Sequence, residues 1–296
     1  YTTGASIIAP NIETVTLKTS AGGTKTVSGA TFADAATLNI TASSANLTIS
    51  DLTVLNLQTF DVSSTGSRTT NITTGADVFS QALTYTGGGG NDTLDLDGTT
   101  LQNTFVYNGG NGNDALELDG AALQNTFSYN GGSGADSLKL NGATLSGALT
   151  FDGGSGDDTL NLDGATLAST FSYNGGVGND TLSLDSSTLK NTFSYIGGDG
   201  NDQLDLDDAT LSGTFSYTGG TGNDTLDLDG ATLSNTFSYS GGDGNDTLDL
   251  DSATLAQALT YNGGAGNDTI TLDGATLAAG SILEVGSDLD TLTLNI

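Results

Sequence analysis

The sequence predicts an all-β chain: a right-handed parallel β-solenoid, β-roll-like, that advances about 22 residues per turn. Three observations predict it. Between Gly87 and Asp268 the chain writes Gly-Gly-x-Gly-x-Asp nine times, each copy at the same interval after the last and without an insertion. A fixed period of this size marks a solenoid, in which each repeat makes one turn and stacks on its neighbour. Each repeat also holds two short runs of alternating apolar and polar residues bounded by Gly, Asn and Asp, which is the strand signature. Finally, the Asp that closes each copy never varies: Asp92, Asp114, Asp136, Asp158, Asp180, Asp202, Asp224, Asp246 and Asp268.

Three segments follow. Residues 1–84 are rich in Thr, Ser and Ala, with alternating stretches at Glu13–Leu17, Ala36–Ile40, Leu47–Ile49 and Leu52–Leu57. They predict about four irregular turns. Residues 85–282 hold the nine regular turns. Residues 283–296 keep Asp290 in register but lose most of the glycines, as a closing turn would.

In the repeat Tyr217–Ser238, the predicted strands are Thr225–Leu228 and Thr236–Tyr239. Leu226, Leu228, Phe237 and Tyr239 should face inward, joined by Leu233 from the Asp-Gly-Ala-Thr-Leu connection. Thr225, Asp227 and Ser238 should face out. Five apolar side chains per turn make a sufficient core once neighbours stack on them. The column of Tyr85, Tyr107, Tyr129, Phe151, Tyr173, Tyr195, Tyr217, Tyr239 and Tyr261 belongs to that core rather than to a sugar-stacking strip.

Stacking puts the nine invariant carboxylates in one column, ~4.8 Å apart. Neighbours at that distance repel by about 3–4 kcal/mol at an effective dielectric of about 20. Partly dehydrated loops cannot hold such a column bare, so the sequence asks for cations, and an oxygen-only site asks for calcium. Glycines permit positive φ and let loop carbonyls turn toward an ion. The candidate carbonyl donors are Gly88, Gly90, Gly110, Gly112, Gly132, Gly134, Gly154, Gly156, Gly176, Gly178, Gly198, Gly200, Gly220, Gly222, Gly242, Gly244, Gly264 and Gly266. A second acidic column, Asp97 to Asp273 and broken by Asn141, has no Gly-Gly before it. Turn capping explains it better than a second row of ions.

Composition narrows the function. The chain carries 35 Asp and Glu against 5 Lys and Arg, a net charge of −30. Ordinary nucleic-acid binding needs a basic face, and anionic membranes would repel this one. No stretch is long and apolar enough for a membrane span. Cys, His, Met and Trp are absent. The cations Lys18, Lys25, Arg68, Lys139 and Lys190 are scattered, and every acidic pair recurs along the axis, so no catalytic constellation stands out. The opening residues Tyr1–Ala5 do not read as a signal peptide, and a Tyr start without any Met points to a piece of a longer chain.

Gly-Gly-x-Gly-x-Asp followed by Leu-x-Leu resembles the calcium-binding RTX repeat of bacterial secreted proteins, over about residues 87–295. The resemblance implies about eight Ca2+ ions in one column between successive Asp loops, and export to the bacterial cell surface or beyond by type I secretion. Family members usually run two nonapeptides to a turn, with ions on both edges. Here a longer calcium-free half replaces alternate nonapeptides. The Thr/Ser-rich opening also resembles bacterial S-layer proteins and large adhesins. The expected function is therefore a calcium-stabilised extracellular building block that associates end to end with copies of itself. The alternatives are the shaft of an RTX adhesin and an ice-binding module. Ice binding would want a Thr ladder in the exposed loop, where the chain instead varies from Gly89 to Ala265. The Thr144–Thr276 column is expected to serve the turn.

Overall fold

The computed structural model describes residues 78–286 and 288–293, and before them 13–18, 25–28, 31, 37–42, 47–52, 57, 59–64 and 70–74. Of the predicted features, Tyr1–Ala5, residues 53–56, Arg68 and Leu294 lie outside the described residues. Among those described there is no helix, and the strand pairs are parallel throughout. The chain divides into two compact units, Tyr1–Gly147 and Ala148–Ile296, and each is a β-solenoid.

In the second unit each regular turn contributes three strands, not two. The turn beginning at Thr225 gives Thr225–Asp227, Thr232–Leu233 and Phe237–Asp243. Corresponding strands of successive turns pair in register, Phe215 with Phe237, Tyr217 with Tyr239 and Gly220 with Gly242. Two expectations need correcting. The Asp-Gly-Ala-Thr-Leu connection contains a short strand of its own, because Leu233 points inward and its backbone pairs with the turns on either side. The strand that starts at Phe237 also runs on through Gly241 and Gly242, where a loop was expected. Glycine would ordinarily weaken a strand. Here the glycines of successive turns lie opposite one another, so the parallel ladder continues through them.

The five predicted inward residues are in place: Leu226, Leu228, Leu233, Phe237 and Tyr239 are each at most 2% exposed. The aromatic rings stack with their neighbours one turn away, centroids 4.8–5.0 Å apart and planes within 8°. Those centroids measure the pitch of the stack directly. The sugar-strip alternative fails because Tyr107, Tyr173, Tyr195 and Tyr217 are buried.

The first unit joins irregular turns to regular ones. Thr14 pairs with Thr37, Thr37 with Thr59, and Thr59 with Thr84. Beside that sheet, Lys25 pairs with Leu47, Leu47 with Thr70, and Thr70 with Asp92. The turn is therefore kept where the motif is missing. Leu38, Ile40, Leu47, Ile49 and Ile72 fill its interior.

Candidate metal centre: a buried aspartate column

The invariant Asp opens the strand Asp92–Asp95 in the first copy and in the others stands one residue before the strand that follows the third glycine, and alternation carried back from that strand turns its side chain inward with the two leucines. Asp92, Asp114, Asp136, Asp158, Asp180, Asp202, Asp224, Asp246 and Asp268 are at most 2% exposed. The sequence had placed them in a partly dehydrated loop, but the structure places them in the wall of the core.

Their two oxygens have different surroundings. One oxygen, Oδ1, accepts the backbone N–H of the column Asp one turn earlier. In the first unit Asp92 N–H donates to Asp114 and Asp114 N–H to Asp136, both at 2.7 Å. In the second unit the same bond recurs from Asp158 onward at 2.8–2.9 Å and ends with Asp268 N–H donating to Asp290. The other oxygen, Oδ2, is buried without a hydrogen-bond partner in Asp114, Asp180, Asp202, Asp224, Asp246 and Asp268. So are the hydroxyls of Tyr107, Tyr173, Tyr195, Tyr217, Tyr239 and Tyr261. Leaving a buried polar atom unpaired is costly, and for a carboxylate more so.

Proton affinity reflects that cost. Burial, above all, pushes Asp114, Asp202 and Asp246 up to about 7 and Asp136 to about 6. The backbone N–H opposes the rise. The neighbouring carboxylates add to it at Asp114, Asp202 and Asp246.

The glycines are explained sterically. A Cβ on the first glycine would stand where the column Asp puts its free oxygen: at Gly109 it would lie 2.7 Å from Asp114 Oδ2. From Gly110 onward the second and third glycines have φ between 104° and 143°, and a Cβ at Gly110 or Gly112, for example, would strike the carbonyl of the preceding turn. The candidate carbonyl donors run along the stack rather than toward a central point. Gly88 O, for example, accepts Asn111 N–H at 2.9 Å.

Would these residues suit calcium? The donor type fits: hard oxygens, with a buried carboxylate oxygen left over in Asp114, Asp180, Asp202, Asp224, Asp246 and Asp268. Each of these turns offers one such oxygen, and the remaining ligands would be the second lone pairs of ladder carbonyls. Three acidic side chains lie close enough to share an ion at one place among the described residues, Asp95, Asp97 and Glu117, which are not deeply buried. Glu117 is there paired with Lys139 at 2.7 Å.

At the second acidic column the turn is capped by the side chain two residues earlier, not by the column itself. Asp97, Asp163, Asp207, Asp229 and Asp251 N–H groups donate to Asp95, Asn161, Asp205, Asp227 and Asp249. Asp119 N–H donates to Asp97, and Asp273 N–H to Asp251.

Sequence reasoning missed one ladder. The motif leaves the residue before the column Asp open, yet it is Asn in seven of nine copies. Its side-chain oxygen accepts the N–H of the equivalent residue one turn later, as from Asn201 to Asn179 and from Asn245 to Asn223. Adjacent Asn and Asp thus reach in opposite directions along the stack. The frequency of Asn was the signal. No protein-family model, curated protein or solved structure matches the chain.

Proposed function

We propose that the chain is a calcium-stabilised extracellular structural protein of the RTX repeat type, a building block of a bacterial surface layer or extracellular filament. The observation that carries this reading is the unpaired Oδ2 repeated in Asp114, Asp180, Asp202, Asp224, Asp246 and Asp268. Buried anions stacked at this spacing, six of them with a free oxygen, need positive charge along the column. A divalent cation supplies it at neutral pH, where hard-oxygen sites select calcium. The column from Asp92 to Asp268, with backbone carbonyls of Gly88 through Gly266, would hold about eight ions.

Calcium would neutralise the column and tie each turn to the next, so that folding and ion binding become one event. Secretion into millimolar calcium would then switch the fold on. End-to-end association is supported by the exposed Leu289 and Leu292 beside the strand Thr291–Thr293. Catalysis is not part of this reading: the acidic columns recur turn after turn, and in the one local grouping, Asp95, Asp97 and Glu117, the last is paired with Lys139. The adhesin-shaft reading shares the calcium column and differs only in assembly.

Native mass spectrometry in calcium tests the site: about eight ions per chain are expected, two or fewer would sink it, and about sixteen would revive the Asp97–Asp273 column. Electron microscopy tests assembly. Wild type should extend in calcium, and Leu292→Lys should stay folded and stop extending. A wild type that remains single leaves the adhesin shaft as the better account.

A further inference from the structure

Charge is distributed unevenly around each turn of the second unit. In five successive turns nine consecutive residues contain no carboxylate: 166–174, 188–196, 210–218, 232–240 and 254–262. Lys190 is the one charged residue in these segments. Everything acidic in the chain between 175 and 253 lies in the other part of the turn.

The uncharged segments lie on two sheets of the unit. The Thr-Leu strands belong to one and the first half of the long glycine-bearing strands to the other, and on each the outward residues form parallel ladders; the long strands supply the face described next. Ser172, Ser194, Ser216, Ser238 and Thr260 make one straight row, in register from turn to turn. Beside it stand Asn174, Ile196, Thr218, Ser240 and Asn262, with Ile196 46% exposed. The Thr column lies on the other sheet, which is likewise free of carboxylates in these strands. Thr210, Thr232 and Thr254 are exposed on strands of their own, not tucked into a turn. The row of glycines beyond adds no side chains, and charge returns on these strands only at their far ends, in Asp199 and Asp243.

We infer that this face is a lateral docking surface for a second copy of the chain, the two uncharged faces packed against each other. The argument is electrostatic. Two chains of charge −30 that approach by their acidic parts bring aspartate columns together within a Debye length. The uncharged face is where they meet without that repulsion, and depletion of charge is what marks the core of a protein interface. A sugar polymer is a poorer occupant, because the aromatic rings that would stack on it are buried in the core. Five turns of about 4.8 Å by five strand residues of about 3.3 Å give about 400 Å² per copy. That lies at the weak end for protein contacts, so pairing should be concentration-dependent and should tighten as added salt screens the acidic sides. This goes beyond the calcium reading, which concerns the column and the ends of the stack.

The absence of cysteine makes the test direct. Ser216→Cys places one thiol on the central turn of the face, and Ser183→Cys places one among the acidic strands. With a short bis-maleimide in calcium buffer, the full-length Ser216→Cys chain should form dimer roughly tenfold faster or more, because pairing raises the effective thiol concentration. Adding Ser194→Asp and Ser238→Asp should remove that advantage, while Ser194→Thr and Ser238→Thr should keep it. Circular dichroism checks that each variant is folded. Sedimentation equilibrium of the full-length Leu292→Lys chain, in which end-to-end growth is blocked, should show a dimer that strengthens with sodium chloride. Equal cross-linking from the two positions, or a Leu292→Lys chain that sediments as a monomer at every concentration and salt, would overturn the inference.

Discussion

The turns over residues 13–74 and those closed by Asp92 to Asp268 keep nearly the same pitch in residues, yet their interiors differ. In the regular turns a buried Asp stands at or just before the strand opening, and the residue two beyond the core Tyr or Phe is glycine. In the irregular turns the partner of Asp92 is Thr70, preceded by Leu47 and Lys25, so no carboxylate enters that position. Two residues beyond Tyr85 stands Gly87; two beyond its partner Phe60 stands Val62. Gly and Asp are thus replaced together, by Val62 and Thr70. The parallel ladder and inward aliphatic residues are therefore sufficient for the solenoid. The glycines and Asp are a matched pair added to it, and they bring a buried charge that the irregular turns do not have.

This comparison can be broken most forcefully at the first glycine. Gly197→Ala would drive its Cβ into Asp202 and to within 2.6 Å of the Gly219 carbonyl oxygen. Overpacking against backbone predicts a loss of about 3 kcal/mol. Gly164→Ala meets nothing within 4 Å and should cost only about 1 kcal/mol, for its positive φ. Denaturant titration in calcium measures both. If glycine and Asp are a matched pair, Asp202→Ala should recover part of the Gly197→Ala loss. No recovery would separate the two roles.

A smaller and reversible effect follows from pH. The folded chain holds Asp114, Asp202 and Asp246 near 7, well above the ~3.9 of an unfolded Asp. The native state therefore binds more protons than the unfolded state between about 4 and 7, and stability falls as pH rises through that window. In chelator, acidifying from about pH 8 to about pH 5 should restore β signal in the regular turns. With calcium present the trend should reverse, since protons then compete with the ion. An unchanged β signal in chelator across this range would mean that the column carries no uncompensated charge.

The smallest effect lies in the turn after the second acidic column. Most turns put Gly there with φ between 63° and 70°, but Ser186, Asp208 and Ser252 occupy the same left-handed conformation. Ser252→Gly should raise stability by up to about 1 kcal/mol. A loss would show that the serine hydroxyl does more than tolerate the turn.

Much of this was legible in the sequence because a constant period repeats every inward position nine times. Leu226, Leu228, Phe237 and Tyr239 followed from alternation, and Leu233 from the apolar position in the connection. The full burial of the Asp column did not follow, because Asp and Gly together spell a partly dehydrated loop by local rules. Only the in-register partner one turn away converts that segment into strand. The same is true of the Asn ladder, whose acceptors lie a full turn away along the chain. The uncharged face was equally present in the sequence, but it is visible as a face only after the third strand is known.

Hydrogen exchange resolved along the chain, in calcium and in chelator at about pH 8, tests the central claim most directly. If the buried Asp column is what calcium discharges, chelation should collapse protection over the regular turns from Asp114 to Asp268, while the strands Thr37–Ala42 and Leu47–Leu52, which overlie no such column, should keep most of theirs. Protection that is unchanged by chelator throughout, or that is lost equally in both regions, would contradict the account.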